Sequence, residues 1–127
     1  MSKILIVDDS EANRDILKLR LQHAGYEVLS AVDGEEGLKM VALHAPDLVI
    51  LDVMMPKVDG WLACRCLKGD PKTKAIPVIM LTARTQETDE LRGWECGAEE
   101  YLTKPCDTAR LLAAVGGLLA RAAGEGR

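Results

Sequence analysis

Four strand-like runs in this chain stop at residues that could do chemistry together. Ile4-Leu5-Ile6-Val7 runs into Asp8 and Asp9, and Leu48-Val49-Ile50-Leu51 runs into Asp52. Pro77-Val78-Ile79-Met80-Leu81 ends at Thr82, and the shorter Glu100-Tyr101-Leu102-Thr103 ends at Lys104-Pro105. Three carboxylates gathered at one edge repel each other, so at least one must be neutralised by a proton or a cation. Hard, anionic, all-oxygen ligands with room for water describe a Mg2+ site. A carboxylate nucleophile, a divalent ion, a hydroxyl and an ammonium form a coherent set for phosphoryl transfer. The metal and Lys104 would balance charge on the transferring oxygens, and Thr82 would hydrogen-bond one of them. Asp52 would become an aspartyl phosphate. Taken singly, each residue has a plainer use: Asp8 or Asp9 as a helix cap, Asp52 in a loop, Thr82 at a strand end, Lys104 as a solvated charge. Their order at four strand ends is what favours chemistry.

The elements that must position them follow from the same pattern. Unbroken apolar runs suit strands buried on both faces, as in a parallel sheet covered by helices. Ser10 caps a first helix whose inward stripe is expected to hold Leu17, Leu21 and Ala24, with Gly25 stopping it. Glu27 to Ala31 reads as a peripheral strand. Asp33 caps a second helix with Glu36 answering it; Leu38, Val41 and Ala42 are its expected buried face, and Gly37 should cost it about 1 kcal/mol relative to Ala. A loop over 56–60 follows the central strand. The third helix is expected over about 59–67, carrying Trp61, Cys64 and Leu67, and a polar fourth over about 85–96. Leu111, Leu112, Val115, Leu118 and Leu119 mark a fifth, weakened by Gly116-Gly117. Five strands alternating with five helices imply an α/β fold with a five-stranded parallel sheet and helices on two faces. The flavodoxin-like strand order 2-1-3-4-5 is the known arrangement that puts strands one and three side by side at the switch point.

Composition narrows the class. At 127 residues the chain is one domain, with 48% apolar and 28% charged residues. A net charge of −4 argues against direct nucleic-acid binding. Met1-Ser2-Lys3 leads straight into an apolar run without a cleavage pattern, and no stretch is long enough to cross a membrane, so a cytoplasmic location is expected. Cys64 and Cys66 are two apart and point in different directions on a helix, while Cys96 and Cys106 stand alone; reduced thiols are the expectation. His23 and His44 have no metal-ligand company.

The motifs Val7-Asp8-Asp9-Ser10, Leu51-Asp52-Val53-Met54-Met55-Pro56 with Asp59-Gly60, Leu81-Thr82-Ala83 and Tyr101-Leu102-Thr103-Lys104-Pro105 together resemble the receiver domain of two-component response regulators, the chemotaxis-regulator-like fold. The resemblance implies a receiver domain over 1–121 and a flexible tail over 122–127. It implies that Asp52 is phosphorylated by a sensor histidine kinase or a histidine phosphotransfer protein. Asp9, Asp52 and the backbone carbonyl of Met54 would bind Mg2+ directly, with Asp8 acting mainly through water. Thr82 and Tyr101 would form the switch pair, Lys104 would contact the phosphoryl group, and the bond before Pro105 would be cis. A downstream effector would dock on the face of the fourth helix, fifth strand and fifth helix, where Arg92, Trp94, Glu99, Arg110 and Ala114 lie.

Some positions depart from common members. Cys106 stands where Phe is frequent and Trp94 where Leu is usual, and Met54 and Arg84 occupy two variable places beside the pocket. Met54 is expected to screen water and slow hydrolysis of the phosphoryl group. Two other functions compete: an interaction module that works unphosphorylated, and a phosphatase with an aspartate nucleophile. The latter usually carries a second Asp two positions on, where this chain has Met54. No Gly-rich loop follows the first strand, which disfavours a dinucleotide binder.

Overall fold

Alternation along each strand decides which residues face which layer of helices. The computed structural model describes residues 2–52, 60–82, 97–103 and 107–125, without the side chains of residues 60, 61, 82 and 123–125. Strands β1 (Lys3–Val7), β2 (Glu27–Ala31), β3 (Leu48–Asp52), β4 (Val78–Thr82) and β5 (Glu100–Thr103) form one parallel sheet. Their order is β2-β1-β3-β4-β5, as the expected topology has it. Leu5, Val7, Val49, Leu51 and Met80 share one core with Val41, Cys64 and Leu67. Ile4, Ile6, Ile50, Ile79 and Leu81 share the other with Leu17, Leu21, Leu111 and Val115. Helices α2 (Gly34–His44) and α3 (Gly60–Gly69) therefore cover one face of the sheet, and α1 (Glu11–His23) and α4 (Thr108–Glu125) the other. The helix expected over 85–96 lies outside the described residues, among which there are four helices.

β1 and β3, buried on both faces, are neighbours inside the sheet, and their parallel pairing sends their carboxyl ends to a common edge. In register, Val7 lies beside Leu51. Asp52, the last residue of β3, lies beside Leu81, so Thr82 is one step further along the same edge. Both helix starts are capped as the sequence predicts. The Asn13 amide donates to Ser10 Oγ at 3.3 Å and the Glu36 amide to Asp33 Oδ1 at 2.8 Å.

Two expectations about helix faces need correction. Ala24 is not part of the buried stripe of α1. It is the exposed C-cap, its amide donating back to the Leu21 carbonyl at 3.1 Å, and Gly25 then turns the chain at φ 97°. Ala42 is likewise exposed; α2 rests on Gly34, Gly37 and Val41, with Leu38 half-buried beside them. Helix α4 runs to Glu125 through Gly116-Gly117. Its apolar stripe (Leu111, Val115, Leu118) carries it across the glycines, packing outweighing a propensity cost of about 1 kcal/mol for each Gly.

Candidate functional site

Asp8 and Asp52 are the two charged residues buried among the described ones, 1% and 6% exposed. Asp52 is the last residue of β3, and Asp8 directly follows Val7, the last residue of β1. Asp9, one residue beyond Asp8, is exposed. One carboxylate oxygen from each of Asp8, Asp9 and Asp52 lies within 4.8 Å of the others. The structure thus brings together the three acids that the sequence placed at one edge.

The turn that carries Asp8 and Asp9 is closed by its own hydrogen bonds. The Asp8 amide donates to the Ala31 carbonyl of β2 at 3.1 Å. The Ser10 amide donates to Asp8 Oδ1 at 2.9 Å, fixing one oxygen of a carboxylate that burial alone would leave poorly solvated. Arg14 then reaches back from α1, its guanidinium donating to the Asp8 carbonyl at 2.7 Å. Arg14 is not among the residues that the motifs single out. A signal was there: a cation in the first turns of a helix opposes the macrodipole, so something other than helix stability has to account for it.

Of the remaining residues, Thr82 closes β4 next to Thr103 of β5, and its side chain is outside the described set. Tyr101 packs against the core on the α2–α3 face, with its hydroxyl oxygen shielded from solvent. Met54, Arg84, Arg92, Trp94, Cys96, Lys104, Pro105 and Cys106 all lie outside the described residues. Cys64 is buried and Cys66 exposed. No described helix is long and apolar enough to cross a membrane.

Three close carboxylates on a rigid edge suit a hard divalent cation: they offer oxygen only, and the exposed Asp9 side leaves room for water ligands. A family model for the response regulator receiver domain matches residues 4–116. The chain belongs to that family. Receiver domains are phosphoacceptor regulatory units that bind Mg2+ at an acidic pocket and link histidine kinases to downstream effectors. Among curated proteins, this receiver domain is 47% identical over 121 residues to RpaA of Synechocystis sp., described as a DNA-binding dual master transcriptional regulator. That match takes in 95% of this chain and 50% of RpaA, so the chain spans about half the length of that relative. Protein PilH of Pseudomonas aeruginosa is 42% identical over 120 residues, 94% of this chain and 99% of PilH. A solved receiver domain of a signal transduction histidine kinase from Syntrophus aciditrophicus superposes with a TM-score of 0.90 at 42% identity, covering 94% of this chain and 91% of that one. The receiver unit therefore makes up nearly all of one relative and half of another.

Proposed function

We propose that this receiver domain is a phosphorylation-dependent switch with Asp52 as its acceptor. The observation that carries the reading is the position of Asp52: buried at the end of β3, with a carboxylate oxygen in the same cluster as those of Asp8 and Asp9. In the reaction, an Asp52 oxygen attacks the phosphorus of a phosphohistidine on a sensor kinase or phosphotransfer protein. A P–O bond forms as the P–N bond breaks, and the bonding electron pair stays with the imidazole nitrogen. Asp9 and Asp52 would hold Mg2+ directly, together with the Met54 carbonyl, and Asp8 would hold it through water. When bound, that ion supplies positive charge beside the phosphoryl oxygens.

The chain's own groups do the rest. The strand end holds Asp52 so that little ordering entropy remains to be lost on reaction. Lys104 contacts the phosphoryl group and Thr82 hydrogen-bonds one of its oxygens. Thr82 and Tyr101 are the switch pair; the inward ring of Tyr101 fits the position such a pair would stabilise. Phosphorylation shifts an existing equilibrium between two packings, with readout at β5, α4 and the 85–96 segment, where an effector docks.

The test is incubation with Mg2+ and acetyl phosphate followed by intact-mass measurement. One added phosphoryl group, absent without Mg2+ and absent in Asp52→Asn, is the expected result. Continuous turnover of a phosphoester would instead point to a phosphatase. Equal partner binding with and without the donor would point to a constitutive interaction module.

A further inference from the structure

We infer that Arg14 is a positioning residue for cation binding at the acidic edge, an inference that rests on the Mg2+-dependent reading above. Hydrogen bonds close the Asp8–Arg14 turn. The Ser10 amide donates to Asp8 Oδ1 at 2.9 Å, the Arg14 amide to the Ser10 carbonyl at 3.0 Å, and the Arg14 guanidinium to the Asp8 carbonyl at 2.7 Å. The last of these is the one whose donor is a charged side chain, and Arg14 is half-buried where it makes it.

The Asp8 carbonyl and the Asp9 amide belong to one planar unit, so a bond that fixes the carbonyl fixes the plane from which Asp9 departs. Asp9 needs that constraint more than its neighbours do. Asp8 and Asp52 are held by burial, whereas Asp9 is exposed and is repelled by both. Released, its carboxylate gains solvation by swinging outward, and the three-oxygen cluster opens. Arg14 keeps the unbound site in the arrangement that a cation needs. Groups that hold a metal ligand from behind typically change affinity by about 10–100-fold when removed.

Charge and position predict opposite signs here, which makes the inference testable. Removing a nearby cation should tighten Mg2+ binding if Arg14 acted through its charge; removing an anchor should weaken it. The experiment is a Mg2+ titration of the whole chain followed by two-dimensional amide NMR, comparing wild type, Arg14→Met and Arg14→Lys. The same three proteins are then phosphorylated with acetyl phosphate at limiting and saturating Mg2+. Arg14→Met should raise the Mg2+ Kd about tenfold, in line with loss of a ligand's support. Amide shifts of core residues such as Leu21 and Val115 should stay in place. The Arg14→Met phosphorylation deficit should shrink as Mg2+ is raised, and Arg14→Lys should recover part of the affinity through its ammonium, a shorter donor without the guanidinium's fork. An unchanged or lower Kd in Arg14→Met overturns the inference while leaving Asp52 chemistry intact. A wild-type protein that ignores Mg2+ overturns the functional reading and this inference with it.

Discussion

A Cβ added to Gly37 would lie 2.9 Å from Cγ2 of Val7 and 3.1 Å from its Cγ1. Helix α2 thus rests on β1 at a separation that a hydrogen side chain allows and a methyl group does not. Val7 is 1% exposed and immediately precedes Asp8, so this contact seats the strand end that carries the acidic cluster. Its stiff, β-branched side chain cannot turn aside cheaply.

Gly37→Ala should therefore destabilise the fold, although Ala is the better helix former by about 1 kcal/mol. Overpacking a buried contact costs about 1–3 kcal/mol, and here the strain falls on both elements. Urea unfolding should show a lower midpoint for Gly37→Ala. Val7→Ala in the same background should restore part of the loss by making room. A variant as stable as wild type would contradict the close approach.

The opposite end of the sheet is tied by Lys68. Its ammonium donates to the carbonyls of Lys74 at 3.0 Å and Ile76 at 2.7 Å and to Glu99 Oε2 at 2.6 Å. Glu99 Oε1 in turn accepts from the Val78 amide at 2.9 Å, joining the entry of β5 to the start of β4. The Lys68 side chain is 13% exposed, so this pair is better shielded than an ordinary surface salt bridge. Lys68→Met should cost about 1–3 kcal/mol, since it leaves part-buried acceptors without their donor. Glu99→Gln should cost less, because an amide oxygen can still accept from Val78. Urea midpoints for the two variants should fall in that order.

The acidic edge itself should weaken the metal-free fold. Oxygens of three carboxylates within 4.8 Å, two of the residues buried, repel one another with little water between them. Asp52→Asn removes one charge and should raise stability by about 1–2 kcal/mol in Mg2+-free buffer, the usual balance between function and stability. Added Mg2+ should stabilise wild type and narrow that difference, because a cation that binds the native state favours folding. Thermal unfolding with and without Mg2+ checks both; an Asp52→Asn protein less stable than wild type in the absence of the ion would contradict it.

Much of this architecture was legible because apolar runs and their punctuation are local signals. The bounds of β2 and β5, the caps at Ser10 and Asp33, and the arrival of Asp8, Asp9 and Asp52 at one edge all follow from runs ending in polar residues. The misreadings share a cause. Hydrophobic periodicity marks Ala24 and Ala42 as inward, yet α2 packs through its glycines; the propensity cost of Gly37 is real, but a missing side chain there is the contact. The expected cost of Gly116-Gly117 stands, and packing of Leu111, Val115 and Leu118 carries α4 across it. For Arg14 the sequence shows a cation out of place in the first turns of α1 but not its partner, a backbone carbonyl, which no sequence pattern displays.

The most direct measurement is chemical location of the phosphoryl group. Borohydride reduces an aspartyl phosphate to homoserine, and peptide mass spectrometry then reads the position. After treatment with Mg2+ and acetyl phosphate, homoserine should appear at position 52, with positions 8 and 9 unmodified. Homoserine at 8 or 9, or none anywhere in the chain, would contradict the assignment of Asp52 as acceptor.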